Sequence, residues 1–459
     1  MSALADFAAR LSSLRLEQLG EDVLDAARQR LFDSLAAFVV GAAAPEGQLM
    51  RRLSPLPPRR ERARVRVSGA EADLIRYACA ATRCTELDDI HIPSCTTAGS
   101  IVVPVALLTA AAQQSDDGDL LCGLVAGYEA MTRLGCAING ATVLYKGVWP
   151  TYFAAPFAAA ATVARLLNLD RERAAHALAI ATARSSGVTA RTSGTSSSRW
   201  FAAGCAAADG YLAARAAALG MTGDGNVLEQ ALPRATAVEL DLQAFEGDRW
   251  LIMDVDTKPF STSRQALSSV EAYLRIVDAR PMGGIASIRA WVPGQVRSMV
   301  ENPQFPLGVP YLLATATYDR LSLWDVTGSR PPVRPLDNVE VLDDERLTGL
   351  FPAQWGGRVE VRWEDGVTAI EEVLDPRGSA RNPFGWDELL DKHRRVASAT
   401  DLPDSWIEPV YQLCRGFAAQ SGSRAGELAH VILSEAKDLP PRRPSEEVPS
   451  SPTAPQDDI

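Results

Sequence analysis

The spacing of apolar residues predicts that the first half of the chain is helical. After Glu21, apolar side chains recur at intervals of three and four residues, the period of a helix with one buried face. We expect Pro45 to end this helix. From residue 71 to residue 219 the chain is very rich in alanine, which favours helices and lets them approach closely. Because no run here is long or charged enough to be stable alone, we expect several helices that pack on one another.

After about residue 272 the pattern predicts a mixture of strands and helices. Residues 288–292 have the composition of a short strand. Residues 359–366 alternate between apolar and polar side chains and run into a turn at Asp365-Gly366, as expected of a strand that enters a hairpin. Between these two strands, residues 308–324 have a helical pattern.

These changes predict two domains and a tail. We expect a mostly α protein, with a large all-α helical domain formed by residues 1–272 and 401–430. A smaller α+β domain is expected at residues 273–400, since strands and helices are segregated there. Residues 431–459 are rich in proline and have no aromatic residue. Such a segment cannot bury enough apolar area to offset its ordering entropy, so we predict a disordered tail.

Two polar connections interrupt the helical pattern. Residues 45–68 are rich in proline and arginine. We expect a solvated loop there, with a short strand at Val65 and Val67, and an anion-binding patch is the alternative. Residues 185–198 are rich in serine and threonine, which indicates a flexible loop. This loop lacks the Gly-Lys-Ser/Thr ending of a phosphate-binding loop, so it gives no support for nucleotide binding.

The net charge argues against two classes of partner. The 459 residues carry a formal net charge of −11. Nucleic acid and anionic membrane surfaces both attract basic faces, so we expect neither as a partner. The longest apolar stretches are shorter than the roughly 20 residues that a membrane span needs. The N-terminal residues lack the apolar core of a signal peptide.

The rarer residue types narrow the chemistry. The odd number of cysteines, seven, and the absence of a Cys-x-x-Cys pair argue against a disulfide scaffold and a structural zinc site. They favour a reducing compartment, and we expect a cytoplasmic protein. Only four of the 46 basic residues are lysines. Lysine can lose its proton when it is buried, whereas arginine keeps its charge, so each lysine in apolar surroundings is a candidate.

The first group of candidate residues lies in the segment 85–91, Thr-Glu-Leu-Asp-Asp-Ile-His. Asp88 and Asp89 point in different directions on any regular backbone, so one can hold His91 or a backbone amide while the other faces a cleft. A carboxylate that fixes the tautomer of a histidine makes it a usable acid or base near neutral pH. The alternative is a helix end capped by aspartate, with His91 at the surface. We do not expect a metal, because no second histidine lies nearby in the sequence.

Two further groups follow. Tyr145, Lys146 and Trp149 surround a Gly/Pro turn ahead of a predicted helix. A buried tyrosine beside a cation can act as an acid. The alternative is an aromatic loop that packs over the core.

In the third group, Lys258 and Arg264 bracket a hydroxyl-rich turn that includes Ser261 and is followed by Gln265. An arginine, a lysine and hydroxyl donors can together hold a carboxylate, and Arg199 can add another cation. The alternative is ordinary helix capping with solvated cations.

Short motifs along the chain, in their order, resemble those of one protein family. They are Ala27-Arg-Gln-Arg-Leu-Phe-Asp-Ser-Leu, Leu87-Asp-Asp-Ile-His, Gly127-Tyr-Glu-Ala, Trp149-Pro-Thr, Leu167-Asn-Leu-Asp, Asp209-Gly210, Lys258-Pro-Phe and Asn382-Pro-Phe. Each motif is weak alone, but together and in this order they are fairly specific. Over residues 3–425 the chain resembles the MmgE/PrpD family, which includes 2-methylcitrate dehydratase, cis-aconitate decarboxylase and iminodisuccinate epimerase.

This resemblance implies a large all-α domain with a smaller α+β lid domain, a homodimer, and an active site in the cleft between the domains. It also implies catalysis without a metal or an organic cofactor, on a small polycarboxylate in which a proton is moved next to a carboxylate. The candidate catalytic residues are Asp88, Asp89, His91, Tyr145 and Lys258, and the candidate substrate-binding residues are Arg199, Arg264, Gln265, Thr97, Lys146, Trp149 and Ser261.

The chain departs from the pattern of this family at four positions. Thr97, Trp149 and Leu267 stand where family members carry histidines, and Arg199 stands where a lysine is usual. We therefore consider three hypotheses, of which two are catalytic and one is not.

The first hypothesis is a cofactor-independent lyase in which cations bind the carboxylates and His91, oriented by one of the paired aspartates, moves the proton. The second is an epimerase or isomerase in which Lys258 and Tyr145 exchange the proton on opposite faces of one carbon. The third is a non-catalytic homologue that binds polycarboxylates. The catalytic hypotheses require the paired aspartates and Lys258 to meet in one crevice.

Overall fold

Helices make up most of the chain in a computed structural model, which describes residues 3–53, 70–187, 197–236, 239–280, 284–326, 333–417 and 422–438. Its α-helices are α1 (Ala3–Ser12), α2 (Glu21–Ala43), α3 (Pro45–Leu53), α4 (Ala70–Cys84), α5 (Gly99–Gln113), α6 (Asp117–Ala137), α7 (Gly140–Val143), α8 (Pro150–Leu166), α9 (Arg171–Thr182), α10 (Ser198–Ala218), α11 (Leu232–Thr236), α12 (Arg264–Ala279), α13 (Gly294–Val300), α14 (Val309–Tyr318), α15 (Glu345–Leu350), α16 (Trp386–Ala399), α17 (Ile407–Arg415) and α18 (Ala425–Asp438). The strands are β1 (Ile90–His91), β2 (Val255–Asp256), β3 (Ile285–Val292), β4 (Val339–Asp343), β5 (Gly357–Trp363) and β6 (Thr368–Val373). The predicted fold class, mostly α with a smaller α+β part, is confirmed. None of the helices in these described ranges has both the length and the apolar character needed to cross a membrane.

The first predicted helix is present, but the segment after it differs from the prediction. Helix α2 begins at Glu21, as expected, yet Pro45 begins helix α3 rather than a loop. Proline is favoured in the first turn of a helix, where its missing N–H needs no partner. Helices α2 and α3 are therefore separated by Ala44 alone. The rest of the predicted loop, residues 54–68 with its strand, and most of the segment 185–198 lie outside the described residues.

Alanine-rich helices form the larger of two hydrophobic clusters. Helix α8 packs against both α6 and α10, and α10 also packs against α4. A Cβ atom at Gly204 of α10 would clash with the carbonyl oxygen of Arg76 on α4, and one at Gly210 would clash with that of Pro156 on α8. Small side chains therefore allow the close helix packing that the alanine content predicts.

The smaller cluster surrounds a four-stranded sheet with the order β4-β3-β5-β6. Strand β3 pairs in parallel with β4 and antiparallel with β5, which pairs antiparallel with β6. Buried side chains alternate along β5, as the sequence predicts. Gly366 in the following turn has φ 86°, a value that glycine adopts without strain. Helix α12 packs on β5 and β6 and contributes apolar residues to this cluster.

The two clusters divide the chain at different residues from the predicted domains. Helix α12 begins before the predicted boundary at residue 272, yet it belongs to the smaller cluster. Helix α16 precedes the predicted boundary at residue 400, yet it contributes to the larger cluster. Helix α17 packs on α2 of the larger cluster. Helix α18 extends to Asp438, into the segment predicted as a tail, and residues 439–459 lie outside the described ranges.

Candidate active site

A short two-stranded ribbon brings two distant parts of the chain together. Strands β1 and β2 pair antiparallel, with Ile90 opposite Asp256. Continued by two residues, this register places Asp88 opposite Lys258. Asp88 Oδ1 lies 3.3 Å from Lys258 Nζ, although the two residues are 170 positions apart. This contact brings one of the two paired aspartates to Lys258, whereas the catalytic hypotheses require both in the same crevice.

The buried ammonium group of Lys258 is surrounded by oxygen atoms. Its Nζ donates to the carbonyl oxygen of Glu86 at 3.0 Å and lies 3.4 Å from Glu86 Oε2. Arg83, in the last turn of α4, contacts the same two carboxylates. Its Nη1 lies 2.9 Å from Glu86 Oε2 and 3.3 Å from Asp88 Oδ1. Two cations and two carboxylates therefore alternate in a buried cluster.

Glu86 was not among the predicted site residues, and it contacts a third cation. Arg199 Nη2 lies 3.2 Å from Glu86 Oε1. Burial opposes the ionisation of Glu86, but the positive charges of Arg83, Lys258 and Arg199 outweigh it and lower the pKa of this carboxyl to about 2. Arg83 was not among the predicted site residues either. Arg83 and Glu86 are three residues apart near the end of a predicted helix, and this spacing, which is typical of an ion pair, was the available signal.

Both arginines of the predicted carboxylate site are fixed by contacts with neighbouring side chains. The guanidinium of Arg199, in the first turn of α10, lies 4.7 Å from the ring centre of Trp200 and 5.4 Å from that of Trp149. At the start of α12, Arg264 Nε donates to Asp256 Oδ2 at 2.8 Å. Each cation of this site therefore already contacts a carboxylate of the chain itself.

A cavity of about 30 Å³ is lined by five of these charged groups, Arg83, Glu86, Arg199, Lys258 and Arg264, but not by Asp88 or Asp256. Thr97 and Gln265 add polar groups to its wall, Trp149 comes from the larger hydrophobic cluster, and Met299 comes from the smaller one. Both clusters therefore contribute to the wall. A cavity of this size holds about two water molecules, which is less than the volume of a di- or tricarboxylate.

Asp89 does not line this cavity. Its Oδ1 accepts a hydrogen bond from the N–H of Gly99 at 2.8 Å, and its Oδ2 accepts one from the hydroxyl of Tyr128 at 2.5 Å. Burial raises the pKa of Asp89 to about 6, although Arg30 and these two hydrogen bonds oppose the rise. The paired aspartates thus point in different directions, as expected, and only Asp88 contacts Lys258.

The structure corrects the predicted orientation of His91. Its Nδ1 lies 2.9 Å from the hydroxyl of Ser94, and within the described residues neither aspartate bonds to its ring. Side chains alternate along an extended strand, so Ile90 lines the cavity and His91 does not. Burial lowers the pKa of His91 to about 4. Among the described residues, no group of three or more His, Cys, Asp or Glu side chains is placed to hold a metal ion.

The remaining candidates divide into those at the cavity and those away from it. Tyr145 lies beside the wall, with its ring centre 6.3 Å from that of Phe351. Burial raises the pKa of Tyr145, and the side chain of Gln265 opposes this rise. Ser261 donates to the carbonyl oxygen of Thr85 at 2.8 Å, so it supports the backbone of the site. The substrate-binding candidates that line the cavity are Thr97, Trp149, Arg199, Arg264 and Gln265, whereas Ser261 and the exposed Lys146 do not.

Comparisons with known proteins identify the family. The pattern of the MmgE/PrpD N-terminal domain matches residues 2–234, and that of the MmgE/PrpD C-terminal domain matches residues 260–401. The chain is similar to cis-aconitate decarboxylase from Aspergillus terreus, with 26% identity over 88% of this chain and 91% of that protein. It is also similar to the cis-aconitate decarboxylase-like protein oryM from Aspergillus oryzae, with 30% identity over 39% of each chain. Since the first family pattern alone covers half of the residues, the chain belongs to the MmgE/PrpD family.

Proposed function

We propose that this chain is a cofactor-independent lyase that moves a proton next to a carboxylate of a small di- or tricarboxylate and thereby releases CO₂ or water. The observation that carries the proposal is the contact between Lys258 and Asp88 at a cavity whose wall contains four cations. Membership of the MmgE/PrpD family and the similarity to proteins named cis-aconitate decarboxylase support the same reaction class.

The cations suit the charge that such a reaction develops. When a carbon–carboxylate bond breaks, or when a proton leaves the carbon next to a carboxylate, an electron pair spreads onto the remaining carboxylate oxygens. Preorganised donors that face this charge contribute about 3 kcal/mol each to stabilisation of the transition state. Arg199 and Arg264 lie in the wall and are fixed by Glu86 and Asp256. In this proposal they bind the carboxylates and stabilise the electron pair.

Lys258 carries the proton in the proposed reaction. Lys258 lines the cavity, and its ammonium group donates hydrogen bonds to Asp88 and to the carbonyl oxygen of Glu86. In a decarboxylation, Lys258 gives its proton to the carbon that has lost CO₂, and solvent then restores the proton. Arg83 continues to neutralise Asp88 while Lys258 is uncharged. We assign this step to Lys258 rather than to His91, because His91 does not line the cavity.

The proposal is tested by turnover of the purified chain. We would incubate it with cis-aconitate, citrate, 2-methylcitrate, malate and citramalate, and follow CO₂ release and alkene signals by NMR. We expect at least one substrate to react, and Lys258→Met to slow that reaction by about 10²–10⁴-fold, the usual contribution of a general acid or base. The matched variant Lys146→Met, at an exposed lysine away from the cavity, should retain wild-type turnover. No product from any of the five compounds with the wild type would contradict the proposal.

A further inference from the structure

The carboxylate of Glu86 already occupies the point on which three cations converge. Arg83, Lys258 and Arg199 lie 2.9, 3.4 and 3.2 Å from its two oxygens. Its side chain is 5% exposed and lines the cavity, so this carboxylate forms part of the surface that a ligand would meet. The site that the sequence predicts for a substrate carboxylate is therefore occupied by a carboxylate of the chain itself.

The position of Glu86 is fixed through its backbone. Its φ is 54°, in the left-handed region that residues other than glycine rarely adopt. Its carbonyl oxygen accepts hydrogen bonds from Lys258 Nζ at 3.0 Å and from the N–H of Thr262 at 3.3 Å. These bonds join the backbone of Glu86 to the segment that carries Lys258. The low pKa of Glu86 keeps its charge throughout the neutral range.

The charges around the cavity nearly cancel. Four cations line the wall, and three of the chain's carboxylates form ion pairs with them: Glu86, Asp88 and Asp256. One net positive charge is left for a ligand. A ligand carboxylate that lies beside Glu86, in the wall of the same cavity, meets a like charge. Like charges placed side by side are strongly unfavourable when they are partly desolvated.

We propose that Glu86 determines substrate charge, so that this site takes a dicarboxylate in preference to a tricarboxylate. The inference rests on the proposed function only for the premise that the ligand carries carboxylates. It makes Glu86 a specificity-determining residue rather than a proton carrier. It also predicts that this chain prefers a substrate with fewer carboxylates than cis-aconitate, which is a tricarboxylate.

Glutarate and tricarballylate test the inference directly, because tricarballylate is glutarate with a third carboxylate on its central carbon. We would measure both dissociation constants by calorimetry for the wild type, Glu86→Gln, Glu86→Asp and the exposed control Glu345→Gln. We expect the wild type to bind glutarate more tightly. In Glu86→Gln, which keeps the shape and removes the charge, the ratio of the two constants should shift by at least about tenfold towards tricarballylate. Glu86→Asp and Glu345→Gln should keep the wild-type preference.

The possible outcomes separate this inference from the proposed function. If both ligands bind and Glu86→Gln leaves their ratio unchanged, the inference is wrong and the proposed function stands. If neither ligand binds to any folded variant, the carboxylate site itself is wrong. If Glu86→Gln does not fold, the wild-type ratio decides, since tighter binding of tricarballylate by the wild type contradicts the inference.

Discussion

Two buried clusters of charged side chains hold the same short segment, 85–91, and only one of them lines the cavity described above. The cavity cluster consists of Arg83, Glu86, Asp88, Arg199 and Lys258. The sealed cluster consists of Asp33, Lys392 and His393. Asp33 Oδ1 lies 2.6 Å from Lys392 Nζ and 2.7 Å from His393 Nε2.

Both clusters hold the backbone of this segment through a lysine. Lys258 donates to the carbonyl oxygen of Glu86, and Lys392 donates to that of Leu87 at 3.1 Å. In the sealed cluster Lys392 and the hydrogen bond from His393 lower the pKa of Asp33 against the opposing effect of burial, and burial lowers the pKa of His393. Burial and perturbed pKa values are thus common to both clusters. Within the part of the chain that the structure describes, the candidate site differs in lining the cavity described above and in its surplus of positive charge.

The largest effect that we predict outside the cavity concerns the sealed cluster. Lys392→Met removes the cation that pairs with Asp33 and leaves a buried carboxylate without its ammonium partner. We expect the free energy of unfolding to fall by about 3–5 kcal/mol, measured by urea denaturation at pH 7. Lys146→Met, at an exposed lysine, is the matched control and should change it by less than about 0.5 kcal/mol.

A second variant sharpens this prediction. In Asp33→Asn/Lys392→Met no buried charged pair remains, so part of the lost stability should return, because removing both partners costs less than removing one. Equal stability of Lys392→Met and the wild type would mean that the sealed cluster does not support segment 85–91, and the comparison of the two clusters would fail.

Asp89 provides an intermediate case, a buried carboxylate that forms no ion pair within the described part of the chain. Its pKa is raised from 3.8 to about 6. Well below pH 3.8 the carboxyl is protonated in both the folded and the unfolded chain, so it adds no pH dependence there. As the pH rises from 4 to 6, the unfolded chain releases this proton first, and the folded chain loses relative stability.

We therefore predict that the stability of the wild type falls by about 2–3 kcal/mol, relative to Asp89→Asn, between pH 4 and pH 6. Asparagine can still bond to Gly99 and Tyr128, so the variant should fold. Urea denaturation of both proteins at four pH values in this range measures the difference. A constant difference across the range would show that Asp89 ionises in the folded chain at its ordinary pKa.

Much of the architecture follows from local patterns. The start of α2 at Glu21, the alternation along β5 and the turn at Gly366 were all expected from periodicity and turn residues. Local patterns failed at Pro45, because proline ends one helix and begins another equally well. The assignment of α12 and α16 to clusters depends on distant contacts that periodicity does not contain.

The residues that belong to the site could be predicted from the sequence better than their arrangement in space. Asp88 and Lys258 follow from matching motifs, and the β1–β2 register supplies the physical reason for their contact. That His91 points away from the cavity depends on strand alternation, which a two-residue strand does not reveal in sequence. Glu86 was missed because two of its three cation partners, Arg199 and Lys258, come from other elements. Only the folded chain shows that a predicted substrate position is occupied by its own carboxylate.

The smallest effect that we predict concerns Ser261. It tests whether the backbone at the cavity cluster is held as firmly as the backbone at the sealed cluster. Three successive carbonyl oxygens, of Thr85, Glu86 and Leu87, accept hydrogen bonds from Ser261, Lys258 and Lys392. Ser261→Ala leaves the first of these buried oxygens without this donor, and we expect a loss of about 1 kcal/mol in the free energy of unfolding, with KM changed less than twofold. The exposed Ser398→Ala is the control for urea denaturation. If instead KM rises tenfold while stability is unchanged, Ser261 binds substrate, as its sequence position suggested, and the support of this segment comes from the two lysines alone.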